Sequence, residues 1–236
     1  MWWWVLAVGC GRQDVAGEEG DPEDVPFPLE EVALTRFVDP MIGTEGPGNT
    51  IPGALVPHGM VRASPDTVNA PGSIDAYDWS DTKIEGFTHT HLEGPGGSAN
   101  GYSQVLVLPQ VGALEVDRRA RPVGFRHEEE VARPGYYGVR LESGVGVELT
   151  ATGHAAVHRY TFPAGEARLL VDMGHSMGTS VGGELRVEGT RVRGVGRYNV
   201  HPVAALLSGS SVPTALSTVY ADLEVSVAPT AWGTFV

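Results

Sequence analysis

The chain has 236 residues, a net charge of −13, 42% hydrophobic and 19% charged residues, 32 glycines, 17 prolines and one cysteine. That length and balance suit one large all-β domain or two small ones with a sizeable core, and exclude a chain that is disordered or membrane-embedded throughout. The acidic balance lacks the basic footprint that nucleic acid requires, and a single cysteine excludes an intrachain disulfide.

The first residues, Trp2 to Gly9, are apolar, end in small residues directly before Cys10, and are too few to cross a bilayer as a helix. This resembles the end of a bacterial lipoprotein signal, in which Cys10 is lipidated and tethers an exported protein, periplasmic or on the outer surface. The alternative is an apolar tail with an incidental cysteine, because no positively charged start precedes the run. Residues 11–34 are dominated by Gly, Pro, Asp and Glu and read as a flexible acidic spacer. The domain organisation is therefore a signal-like segment over 1–10, a spacer over 11–34 and a folded domain over 35–236.

From Phe37 to Gln104 the chain is rich in Gly, Pro, His and Asn without regular periodicity, which predicts long polar loops. Two stretches could carry chemistry. In Val38–Ala54, glycines including Gly43 allow close backbone approach to a ligand, while Thr44, Asn49 and Thr50 supply hydrogen-bonding groups. The stretch is either a binding loop or a structural glycine-rich turn. No Gly-Lys-Ser/Thr follows, so it is not a phosphate loop. In Tyr77–Gly97, Trp79 either stacks on the apolar face of a sugar ring, with Asp81 and its neighbours holding hydroxyls, or fills the core beneath the loop. His89 and His91 share a face if the segment is extended, and are either two metal ligands completed by His58, Asp81 or Glu93, or two histidines hydrogen-bonded in a polar cleft or core. Asp78, Asp81, Glu85 and Glu93 are the carboxylates that could be nominated for glycoside hydrolysis.

Beyond Val105 the pattern becomes period-two alternation. Tyr137, Val139 and Leu141 alternate with Gly138, Arg140 and Glu142. Val147 and Leu149 follow, then His158, Tyr160 and Phe162 on one face. The apolar run Leu169–Val171 predicts a strand buried on both faces. Leu185 and Val187 lead into a Gly189-Thr190 turn, and Ala215 to Val227 is again β-like. With no convincing helix and no internal repeat, the predicted fold class is an all-β antiparallel sandwich with long loops.

Several motifs carry a family likeness. Val38-Asp-Pro-Met-Ile-Gly-Thr44, Asn49-Thr-Ile-Pro-Gly-Ala54, Val56-Pro-His-Gly-Met-Val61 with Ser64-Pro-Asp-Thr67, and Ile84-Glu-Gly-Phe-Thr-His-Thr-His-Leu92 resemble, in order, the opening of family 92 glycoside hydrolases. Arg133-Pro-Gly-Tyr-Tyr137, Glu148–Thr152 and His158–Phe162 are similar to that family's sandwich strands. The likeness runs from about Thr35 to Phe235. It implies a galactose-mutarotase-like supersandwich that packs against a larger helical domain in calcium-dependent exo-α-mannosidases acting on mannose-containing glycans by an inverting mechanism.

In such enzymes the catalytic carboxylates and calcium ligands belong to the helical domain, which this chain is expected to lack. The resemblance therefore implies a chain that is inactive and metal-free alone and contributes one wall of a mannose pocket. Gly43, Thr44, Asn49, Thr50, Trp79, Asp81, His89 and His91 are the substrate-facing candidates. A freestanding carbohydrate-binding lipoprotein module and a non-functional gene fragment are the alternatives. Where the family often has a further Gly-His in the first loop, this chain has Gly46-Pro47-Gly48.

Overall fold

The computed structural model describes residues 34–68, 76–91, 102–199 and 216–235 in full and 3–9, 200 and 215 as backbone. Cys10 and residues 11–33 lie outside the described residues. Among the described residues there are twelve strands: β1 (Trp3–Gly9), β2 (Ser64–Thr67), β3 (Lys83–Thr88), β4 (Leu106–Val111), β5 (Val123–Arg133), β6 (Tyr136–Leu141), β7 (Gly146–Ala151), β8 (Ala155–Thr161), β9 (Ala167–Asp172), β10 (Thr179–Glu188), β11 (Arg191–Val200) and β12 (Ala215–Val225). Short 3-10 turns, and no α-helix, complete the described residues.

Every pairing is antiparallel, in the order β10-β11-β12-β1-β8-β7-β6-β5-β3-β4-β9, with β2 on β3. Strand β1, the stretch that resembles an export signal, thus lies between β8 and β12. The pairing sheet curls back on itself, so Phe87 of β3 and Val107 of β4 share one core with Tyr137, Leu149 and Tyr160 of β6, β7 and β8. The architecture is the antiparallel sandwich expected from the alternation.

Local chemistry explains the meander from β5 to β8. Between β5 and β6, Pro134-Gly135 makes the turn, with Gly135 at φ 75°, a conformation that favours glycine. Tyr137, Val139 and Leu141 point inward, as do Val147 and Leu149, while the residues between them face outward. On β8, His158 and Tyr160 are both fully buried.

Two stretches differ from the sequence expectation. On β9 only Leu170 and Asp172 are fully buried, because β9 is the last strand of the order and one of its faces is less covered. Within the predicted loop region, Ser64–Thr67 and Lys83–Thr88 are strands. All four residues of β2 are buried, including a proline and an aspartate, so no polar/apolar alternation marks it. Leu149 is buried at the centre of the shared core. Replacing it with alanine is expected to cost about 3 kcal/mol, read as a lower urea midpoint with an unchanged slope.

Candidate functional site

The Gly43–Thr50 loop and the Trp79 turn meet at one place. The loop closes on itself: the Thr50 N–H donates to the Gly43 carbonyl at 3.2 Å, and the Thr50 hydroxyl to the Ile42 carbonyl at 2.9 Å. Thr44, buried, turns its hydroxyl to the Met41 carbonyl at 2.9 Å. Two glycines make this closure feasible. Gly43 sits at φ 83°, and a Cβ on Gly48 would lie 2.2 Å from the Gly43 carbonyl oxygen. Asn49, itself left-handed at φ 52°, donates from Nδ2 to the Pro47 carbonyl at 3.1 Å, while its Oδ1 has no donor among the described residues.

The Trp79 turn docks onto this loop through its backbone. The Trp79 N–H donates to the Thr44 carbonyl at 2.9 Å, and the Gly46 N–H to Asp78 Oδ2 at 3.2 Å. Asp78 Oδ1 accepts from the Ser80 N–H and hydroxyl. Donors around Asp78 hold its carboxyl below the usual aspartate range, against the opposing pull of burial. Asp81 is buried and accepts the Thr67 hydroxyl at 2.6 Å. It braces the turn from inside.

Trp79 keeps 37% of its surface exposed. Its ring lies on His127 with centroids 3.8 Å apart and planes 20° from parallel, and Phe125 meets His127 edge-on. A register irregularity in β5, between Phe125 and Glu130, puts His127 in that position. His127 Nδ1 is 2.8 Å from Glu130 Oε2, and Glu130, whose side chain is fully buried, also accepts the hydroxyls of Tyr77 at 3.0 Å and Tyr137 at 2.6 Å. Burial, and then the neighbouring Glu130, push both tyrosine hydroxyls well above their ordinary range. Three donors on one buried carboxylate make a rigid seat for the His127–Trp79 pair.

His89 and His91 lie inward. β3 ends at Thr88, so the extended geometry that would place both rings on one face stops before them. His89 Nδ1 is 2.6 Å from the Val105 carbonyl, which can only accept, so Nδ1 carries the proton. His89 Nε2 then accepts from His158 Nε2 at 3.0 Å, and His158 Nδ1 accepts the Tyr160 hydroxyl at 2.7 Å. With both imidazoles neutral, every group on the line from Tyr160 to Val105 is satisfied. Burial pushes His89 down to about 4 and His158 well below the usual histidine range. Burial also lowers His91, whose Nε2 lies 2.8 Å from the Thr88 hydroxyl. That hydroxyl donates in turn to Asp66 Oδ1 at 2.6 Å.

Beside this turn a cavity of about 250 Å³ opens between β2, β3 and the connections that follow β4 and β9, with Asp66, Thr67, Glu85, Arg118, His175 and Ser176 on its walls. Asp66 Oδ2 takes His175 Nε2 at 2.8 Å. Asp172, just outside, takes Arg121 Nη1 at 2.8 Å and Arg118 Nη2 at 3.3 Å. Of these residues only Glu85 is nominated by the sequence reading. Asp66 belongs to a recognisable motif, but Arg118, His175, His127 and Glu130 carry no local signal, since each matters through partners far away in the chain.

Among the described residues no three His, Cys, Asp or Glu side chains come together as a metal site. Glu93, one third-ligand option, lies outside the described residues. The buried histidines of this region, the nitrogen donors weighed for a metal, are engaged with protein groups.

The fold is thus an antiparallel sandwich in which the stacked Trp79–His127 pair is tied to a glycine-rich loop. The profile of the glycosyl hydrolase family 92 N-terminal domain matches residues 37–236, and the chain belongs to that family. It resembles a family GH92 α-mannosidase of Bacteroides thetaiotaomicron, whose structure is known alone and with mannoimidazole, at 27% identity and a TM-score of 0.72. That match covers 84% of this chain and 26% of the other. A GH92 glycosyl hydrolase, ccman5, matches at 30% identity and a TM-score of 0.66, over 80% of this chain and 26% of that one. A protein of Arthroderma benhamiae described as an uncharacterized secreted glycosidase is 32% identical over 140 residues, 57% of this chain and 18% of its own length. The chain thus spans 18 to 26% of the length of each of these three proteins.

The neutral histidine line has a measurable consequence. The unfolded chain takes up protons on His89 from about pH 6.5 downward, whereas the folded chain does so only near pH 4. Stability present at neutral pH is therefore expected to fall between those values, by about 3 kcal/mol for His89. Urea midpoints measured from pH 7 to pH 4 check this, and His158→Gln should flatten the slope.

Proposed function

We propose that this domain forms one wall of a saccharide pocket in an exported α-mannosidase-type glycosidase and has no hydrolytic activity by itself. The observation that carries the reading is Trp79, half open to solvent, seated on His127 and tied by its backbone to the Gly43–Thr50 loop. A rigid indole with one face backed by a ring offers its other surface to the apolar face of a sugar. On the same loop Asn49 Oδ1 is buried and has no donor among the described residues. Thr44, Thr50, Asp81, His89 and His91 shape the wall from behind, since their polar atoms engage the protein. Gly43 and Gly48 allow the loop to close tightly.

The carboxylates support the inactivity: among the described residues of the nominated set, Asp78 accepts from three donors and Asp81 from Thr67, which leaves Glu85 alone, while Glu93 lies outside the described residues. The calcium implied by the family resemblance belongs, in this reading, to other parts of a longer enzyme. Mannose as the sugar rests on the α-mannosidase likeness, and export on the relative described as secreted. Among the described residues no helix is long and apolar enough to cross a membrane, and lipidation at Cys10 is a proposal from the sequence pattern.

Titration of the 236-residue protein with methyl α-mannoside, followed by ligand-observed NMR, tests the platform. Trp79→Ala is expected to weaken binding at least about tenfold, the loss of roughly 1.4 kcal/mol of stacking, without changing the circular dichroism spectrum. Unchanged affinity removes Trp79 from the site.

A further inference from the structure

The cavity between β2, β3 and the β9–β10 connection has a back wall whose polar groups, Arg121 Nε aside, satisfy one another. Asp66 takes the Thr88 hydroxyl on one oxygen and His175 Nε2 on the other. The guanidinium of Arg121, which can only donate, reaches His175 Nδ1 at 3.4 Å, so Nδ1 is the acceptor and Nε2 the proton carrier. Arg121 also holds Asp172.

The front wall is different. Glu85, 29% exposed, has no hydrogen-bond donor among the described residues. Its nearest ring atom is His175 Nδ1, 3.9 Å away, an acceptor already turned to Arg121. Burial raises the Glu85 carboxyl above its usual range, and nearby Asp66 adds to the rise. Arg118, 51% exposed, uses one Nη2 on Asp172 and makes no ion pair with Glu85, although both line the cavity. An acceptor and a fork of donors are thus left facing a space that holds the liquid volume of about eight waters, at roughly 30 Å³ each.

We propose that this cavity is a second saccharide subsite that takes adjacent hydroxyls of a neutral sugar, Glu85 accepting from one and Arg118 donating to its neighbour. An anion would oppose Glu85 and a cation would oppose Arg118. An apolar ligand would strip water from both charges without replacing it. Adjacent hydroxyls, each donor and acceptor, satisfy both walls at once. The subsite connects to the Trp79 turn through Thr67, which lines the cavity and also takes the Asp78 N–H and donates to Asp81. The proposal rests on the saccharide reading given above but uses other residues.

The test titrates methyl α-mannoside into the full 236-residue chain and into Glu85→Gln, Arg118→Gln and Trp79→Ala, with thermal midpoints as a folding control. Arg121 still holds Asp172 in Arg118→Gln, and Glu85→Gln keeps the side-chain shape. Glu85→Gln and Arg118→Gln are each expected to weaken binding at least about fivefold with unchanged midpoints, a loss of roughly one hydrogen bond to a charged group. Wild-type affinity in both variants, with Trp79→Ala weakened, means the cavity holds water only and overturns the subsite while leaving the platform. No binding by the unaltered chain overturns the saccharide reading and the subsite together.

Discussion

The four buried residues of β2 are the constraint on which the rest of this region depends. Asp66 and Thr67 sit side by side in a strand with no exposed face, so each polar atom there must find a partner or carry a desolvation penalty. Thr67 finds Asp81 and the Asp78 backbone, and thereby holds the turn that presents Trp79. Asp66 finds Thr88 and His175, and thereby draws β3 and the β9–β10 connection together around the cavity. One short strand sets the place of both candidate sugar-facing features.

A second polar system runs through the curled sheet. The line Tyr160–His158–His89–Val105 links β8 to the end of β3, so it ties strands that are distant in the pairing order. Its direction is set at the carbonyl end: Val105 can only accept, which leaves each neutral imidazole one tautomer. Glu130 plays a comparable part for Trp79, since Tyr77 and Tyr137 and the His127 ring converge on it. In both cases buried polarity contributes position rather than chemistry. A platform placed in this way suits recognition, because stacking depends on where a ring is held more than on its reactivity.

The sandwich was legible from Tyr137, Leu149 and Tyr160, whose period-two spacing reports directly on which face is buried. The family motifs were legible for the same reason, being contiguous. β2 was not, because a strand buried on every position carries no alternation, and β3 was not, because it lies in the same aperiodic stretch read as long polar loops. His89 and His91 read as a pair on one face, but β3 ends at Thr88 and each ring turns to its own partner.

By itself, the sequence determined the antiparallel class, the turn at Gly189-Thr190 and the membership that the contiguous motifs encode, since alternation, turn chemistry and motif order are properties of neighbouring residues. Tertiary structure alone decided that Trp79 lies on His127, that Glu130 anchors that pair, and that Glu85 and Arg118 share a cavity with His175. Those meetings join residues tens of positions apart, and they arise only when the sheet curls and the buried carboxylates choose their donors.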